Sequence, residues 1–187
     1  MLLDELETDP PPTVVQLAAL HERHRLNPRY AREVAEAMVS GSRWLERGGG
    51  FLLRRLAGET GTLPAEEWEL VIDGLDGVRS WFGRLLLCQT LAEWPALMDV
   101  APADLAMFLR GCLSDPKPTV RAWSFCALNA LAERHPEYLA EARAAEARAR
   151  RDRAPCVVAR LRQMGLVPYP PKKKMPGFRR RRPCLRR

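Results

Sequence analysis

Residues 115–123 read DPKPTVRAW. Two prolines one residue apart cannot both sit inside a helix. Each lacks an N–H, and each pushes the residue before it out of the helical region. The stretch therefore reads as a turn. Pro116 and Pro118 end one helix and hold the chain extended, and Val120 starts the next helix on its core face. The same nine residues hold an acid, an arginine and a tryptophan, so a reactive cluster is the competing reading.

Sliding the chain against itself decides between the two. At a shift of 42, LVIDGLDGVRSW (70–81) lies over CLSDPKPTVRAW (112–123). Asp73 then meets Asp115, Val78 meets Val120, Arg79 meets Arg121 and Trp81 meets Trp123. Both segments continue as apolar helices, ending in LAEWP (91–95) and LAERHP (131–136), where the register slips by two residues. SRWL at 42–45 is a weaker echo upstream. A catalytic constellation normally occurs once, whereas a motif returning after about 40 residues in a helical chain signals stacked helix pairs.

Helical spacing extends along most of the sequence. PTVVQLAALHERHRL (12–26) sets Val14, Leu17, Leu20 and His24 along one face, with Val15 and Ala18 beside them. NPRYAREVAEAMVSG (27–41) opens with Asn27 as N-cap and Pro28 at the first helical position, and stops at Gly41. SRWLERGGGFLLRRLAGE (42–59) is apolar at Trp44, Leu45, Phe51, Leu52, Leu53 and Leu56, and its three glycines predict a break or kink. LPAEEWELVIDGL (63–75) places Pro64 and two glutamates at a helix start, where negative charge suits the dipole. No window alternates as a strand does.

With these residues in view, the chain resembles the HEAT-repeat family. LSDPKPTVRAWSFCALNALAERHP (113–136) carries the resemblance most clearly, and 70–95 is a looser copy with Gly-Leu-Asp-Gly in place of the prolines. It covers about 65–136, extends to 27–60, and loses its motif over 137–165. The resemblance implies an all-α fold, a short right-handed α-solenoid of HEAT-like antiparallel helix pairs. It implies a structural ladder of hydrogen bonds through Asp73, Arg79, Asp115 and Arg121. Trp81 and Trp123 read as packing anchors between repeats, since aromatics bury the area such contacts need. The expected division is a helical repeat domain over 1–167 and a disordered basic tail over 168–187.

The net charge of +7 divides unevenly. Lys172, Lys173, Lys174, Arg179, Arg180, Arg181, Arg182, Arg186 and Arg187 make the last sixteen residues strongly cationic, with no acid among them. Residues 143–171 hold seven arginines against Glu146 and Asp152, so residues 1–142 carry −7. Proline, glycine and like charge exclude a packed core for the tail. Its chemistry suits a polyanion, nucleic acid or another anionic surface, without sequence specificity. Phe178 could stack on a base. The spacing of the two clusters also fits a bipartite nuclear-import signal in a eukaryote. Otherwise the acidic N-terminus and the lack of an apolar run of about eighteen residues predict a cytoplasmic protein with no membrane span.

Other candidate chemistry is thin. Cys88, Cys112, Cys126, Cys156 and Cys184 form no CxxC pair, and the first four fall in apolar helical segments as structural thiols. His21 and His24 lie three apart, within reach of one metal ion, with no third ligand in sequence. His135 precedes Pro136 at a helix end, where a cation is favourable. Some bacterial DNA glycosylases are built from HEAT-like repeats and use Trp, Asp and Arg on a concave face. Here the tryptophans that can be placed fall at repeat positions, and an acidic body would repel a duplex. The reading is thus a non-enzymatic scaffold with no catalytic residue, metal or cofactor. A protein partner would lie on its concave face, and the tail would add polyanion contact. A nucleic-acid-binding protein driven by the basic C-terminus is the alternative, and a HEAT-like DNA glycosylase the remote one.

Overall fold

The computed structural model describes residues 1–169, which form helices and turns with no strand among them. Ten α-helices follow one another: α1 (Leu2–Leu6), α2 (Val14–His24), α3 (Tyr30–Met38), α4 (Arg43–Thr60), α5 (Ala65–Asp73), α6 (Trp81–Glu93), α7 (Pro102–Cys112), α8 (Pro118–Arg134), α9 (Leu139–Ala149) and α10 (Pro155–Gln163). Residues 170–187, and with them the tail cations, lie outside the described residues.

Local chemistry sets the helix starts. Thr13 caps α2 through a capping box, its hydroxyl accepting from Gln16 N while Gln16 Oε1 accepts from Thr13 N at 2.7 Å. Helix α3 starts later than its sequence reading, with Arg29 rather than Asn27 as N-cap and Pro28 outside the helix, although Asn27 does bond a backbone N–H in the approach. The Asn27 Oδ1 accepts from Arg29 N at 3.0 Å, and α3 begins only at Tyr30. Pro118 and Pro155 stand first in α8 and α10, where their missing N–H costs nothing. The face of α2 differs from its sequence reading. Leu17, Leu20 and His21 are buried, while Val14 and Val15 point to solvent. The short α1 buries Leu2 and Leu6 completely against α3 and α4.

Helices α4, α6, α8 and α10 pack side by side in that order. Helix α3 covers α4 and meets α5, while α7 and α9 lie against α8. One continuous core runs through all of them, from Leu2 to Leu161. Trp68 of α5 is its largest buried side chain, and its indole N–H donates to Leu97 O at 2.8 Å.

The glycines at 48–50 do not break α4, which continues through them to Thr60. They let its neighbours come close. A Cβ at Gly49 would lie 2.6 Å from Met38 N and 2.9 Å from Ala37 C, and one at Gly50 would lie 2.9 Å from Leu86 Cβ. Contact on both sides of α4 outweighs the roughly 1 kcal/mol that each glycine costs a helix.

Gly49→Ala is expected to lower the unfolding free energy by about 1–3 kcal/mol, because the backbone it meets cannot give way. Gly111→Ala in α7, where an added methyl meets nothing within 4 Å, should raise it by about 0.5–1 kcal/mol. Urea unfolding of both variants measures the contrast.

Candidate functional site

Four turns lead into α4, α6, α8 and α10, and they share one solution to one problem. The N–H of a helix N-cap precedes the helical ladder and needs an outside acceptor. In each turn a side-chain oxygen supplies it. Ser42 N donates to Ser40 Oγ at 3.2 Å, Ser80 N to Glu46 Oε2 at 2.6 Å, Lys117 N to Asp115 Oδ1 at 2.7 Å, and Ala154 N to Asp152 Oδ1 at 2.9 Å. In three turns the acceptor stands two residues before the cap. The second turn has Val78 there, and Glu46 of α4 reaches across instead.

Glu46 is wholly buried, and its other oxygen accepts from Arg79 N at 2.8 Å. Its carboxylate thus sits at the N-terminus of α6, where the helix dipole favours negative charge. Gly83 makes room for it, since a Cβ there would lie 2.7 Å from Glu46 Oε2.

The third and fourth turns are tied back to the preceding helix by arginine. Arg84 Nε lies 2.8 Å from Asp115 Oδ2, an ion pair rather than an aligned hydrogen bond. Arg121 grips Asp152 Oδ2 through Nε and Nη2, both at 2.8 Å, and also donates from Nη1 to its own turn's Asp115 O at 2.8 Å. Glu46, Arg84 and Arg121 each stand four residues after their helix's N-cap. The structural repeat is therefore 37–38 residues, set by caps at Ser42, Ser80, Lys117 and Ala154.

This register corrects the one found by sliding the sequence 42 residues. Asp115 and Arg121 stand in the bonded turns, but Asp73 is exposed at the end of α5 and Arg79 is exposed before α6. Arg79 joins the network only through its backbone N–H. The shift of 42 followed the tryptophans, which are not equivalent. Trp81 opens α6 and lies under Lys117 Nζ at 5.5 Å, whereas Trp123 sits midway along α8 under Arg160 of α10 at 3.6 Å. Both are half-buried and both meet the next helix unit. Glu46, Arg84 and Asp152 escaped sequence reasoning. A shift of 37 would have found two of them, because it sets DPKP (115–118) over DRAP (152–155) and Arg84 over Arg121.

The same edge separates charge. Three adjoining grooves run along it and share Pro116 or its neighbours. Exposed Arg43, Arg79, Lys117, Arg148, Arg151 and Arg153 line two of them, and the exposed charge of the remaining one is Asp76. Of the acids there, Asp115 and Asp152 are held inward by arginine and backbone N–H groups, leaving Asp76 at the rim. So although residues 1–142 are acidic in sum, this edge is cationic. The surplus acids gather next to it, with Asp76 shared between the two surfaces. Glu66, Glu67, Glu69, Asp73, Asp76 and Asp104 make no ion pair among the described residues, and Asp73, Asp76 and Asp104 line one recess with Met107 and Phe108.

His21 and His24 do not converge. His21 is fully buried, with Nδ1 2.8 Å from Tyr30 Oη and Nε2 2.7 Å from Glu59 Oε1, while His24 Nε2 lies 2.8 Å from Glu5 Oε1. A carboxylate only accepts, so it is Nε2 that carries a proton towards Glu59, while Nδ1 faces the Tyr30 hydroxyl. Glu22 and Glu59 bring a His21-centred trio of ligand atoms within 4.8 Å, but Arg25 and Arg55 already pair with Glu22. Cys88 and Cys112 are buried, Cys126 and Cys156 partly so, and all four are free thiols. Burial pushes Cys126 up to about 11, and burial beside Cys112 pushes Cys88 well above the ordinary thiol range. Cys88 and Cys126 are thereby held as protonated thiols.

No protein-family model, curated protein or solved structure matches this chain.

Arg84→Ala is expected to cost about 2–3 kcal/mol of stability because it leaves the Asp115 carboxylate buried with one partner fewer. Arg79→Ala should change stability by about 0.5 kcal/mol or less. Equal losses in denaturant titrations would restore the longer register.

Burial raises the Asp152 carboxyl, but the Ala154 N–H and the Arg121 guanidinium outweigh it and hold it below the usual range. The resulting stability is complete above the unfolded value of about 4 and is lost as pH falls through the lower folded value. Asp152→Asn should therefore lower the neutral-pH urea midpoint and flatten its fall between about pH 5 and 2.

Proposed function

We propose that this chain is a non-enzymatic interaction protein, a short right-handed solenoid of HEAT-like antiparallel helix pairs whose cationic edge contacts nucleic acid. One observation carries the proposal. Four helix-entry turns recur every 37–38 residues along one edge, with their acceptor groups turned inward and their lysine and arginines outward. A row of cations that outnumbers the acids left facing it, with Asp76 at its rim, suits a row of phosphates, because each neutralised phosphate releases condensed counterions. The nine tail cations, in sequence, add a second store of positive charge for a polyanion.

The Asp–Arg pairs serve the turns rather than a reaction. Asp115 and Asp152 cap backbone N–H groups, and Arg121 bonds two turns at once. A group so occupied is a poor acid or base, and this favours binding over catalysis.

A second reading has its own observation. The recess of Asp73, Asp76 and Asp104 beside exposed Met107 offers an acidic and partly apolar surface on the side of α5 and α7. It suits a basic protein partner, so that one molecule could join a protein to a nucleic acid.

Anisotropy titrations of a labelled duplex against full-length protein test the first reading. The logarithm of affinity should fall linearly with that of salt, with a slope of about −0.9 per phosphate neutralised. Changing Lys172–Lys174 and Arg179–Arg182 to glutamine should reduce the slope without abolishing it. A slope that vanishes in that variant would place all contact in the tail and overturn the cationic edge.

A further inference from the structure

The groove between the turn entering α8 and the turn entering α10 differs from the other two along the edge. It encloses about 490 Å³ between Ser114, Pro116 and Arg121 on one wall and Arg148, Arg151 and Arg153 on the other. We infer that it is a phosphate clamp for the nucleic-acid backbone, formed by Arg148, Arg151 and Arg153 with the Ser114 hydroxyl. The inference rests on the nucleic-acid reading above and assigns it a particular place.

The argument begins with what each charge in the groove already holds. Asp115 is buried, and both its oxygens are engaged, by Lys117 N at 2.7 Å and Arg84 Nε at 2.8 Å. Asp152 is engaged by Ala154 N at 2.9 Å and by two nitrogens of Arg121 at 2.8 Å. Arg121 is thereby neutralised by Asp152. Glu146, the nearest acid on α9, is turned to Arg150 at 2.6 Å.

That leaves three guanidinium groups. Arg148 makes one bond, Nη2 to the uncharged Ser114 Oγ at 3.2 Å, and neither Arg151 nor Arg153 makes an ion pair among the described residues. All three are exposed, and they bracket Asp152 in sequence, on the last turn of α9 and the loop into α10. Three like charges on one groove repel each other, and an anion between them removes that repulsion. The guanidinium fork also matches phosphate oxygens two at a time, which an ammonium cannot do.

The remaining lining identifies the anion's source. Leu113, Ala145 and Ala149 are apolar, and no Asn, Gln or aromatic side chain lines the groove to read a base edge. Arginine and serine are among the side chains that bond phosphate oxygens, and contacts of that kind fix a backbone without reading sequence. A diester row also suits its continuity with the next groove, where Arg79 and Lys117 flank Trp81.

The test uses full-length protein carrying Arg148→Gln, Arg151→Gln and Arg153→Gln together, beside the glutamine variant of the tail. The probe is a labelled duplex of random sequence, titrated between about 50 and 200 mM salt. The triple variant should lose about 2 to 3 units of salt slope while its thermal midpoint stays at the wild-type value. The triple Arg→Lys variant should recover the slope but bind several-fold more weakly than wild type. An unchanged slope in the triple glutamine variant, with the tail variant weakened, would overturn the clamp and leave the nucleic-acid reading standing. No salt-dependent binding by wild type would overturn that reading itself. Equal affinity for polyglutamate of matched charge would overturn the phosphate assignment.

Discussion

A helix leaves its first four N–H groups beyond the reach of its own hydrogen-bond ladder, and one that begins inside a packed array must find an acceptor for the first of them, at the N-cap. At Ser42, Ser80, Lys117 and Ala154 that N–H meets a serine hydroxyl, a borrowed glutamate and two aspartates in turn. Everything along the edge follows from this. The aspartates that cap the third and fourth turns draw Arg84 and Arg121 from the preceding helices. Those arginines cross-link neighbouring helices, and the acids become unavailable to solvent. Arg43, Arg79, Lys117, Arg148, Arg151 and Arg153 then face outward without an ion pair among the described residues.

The substitution at the second turn shows how strict the requirement is. Val78 cannot accept a hydrogen bond, yet the acceptor is still present, supplied by Glu46 from 34 residues upstream of Ser80. The buried carboxylate carries no paired side-chain cation in its hydrogen bonds. Two backbone N–H groups and the α6 dipole hold it. Gly83 is the condition for this, because any side chain there would occupy the glutamate's place.

Much of the architecture was legible in the sequence. DPKPTV announced the turn and the start of α8, Asn27 the approach to α3, and helical periodicity the all-α class. What misled was identity. Tryptophan is rare, so aligning Trp81 with Trp123 pulled the repeat to 42 residues, although one begins a helix and the other lies within one. The true period is carried by a function, an acceptor for one N–H, which Ser, Glu and Asp discharge from different places. Such compensation leaves no column to align. The glycines at 48–50 misled for a related reason. Helix propensity is a local quantity, whereas the closeness of Met38 and Leu86 to α4 is not. Net charge hid Arg43, Arg79 and Lys117 as well, since −7 over residues 1–142 says nothing about which acids are turned inward, whereas Arg148, Arg151 and Arg153 stand in the arginine-rich stretch 143–171.

The joints between α4, α6, α8 and α10 also differ in mechanical character. Between α4 and α6 the link is a short carboxylate seated directly on backbone, with Gly50 and Gly83 bringing the helices together. Between α6 and α8, and between α8 and α10, the link is a long arginine with several rotatable bonds. The first joint therefore depends on the absence of side chains at Gly50 and Gly83, and the other two on the presence of long ones at Arg84 and Arg121. Alanine at these positions would crowd the first joint and untie the other two.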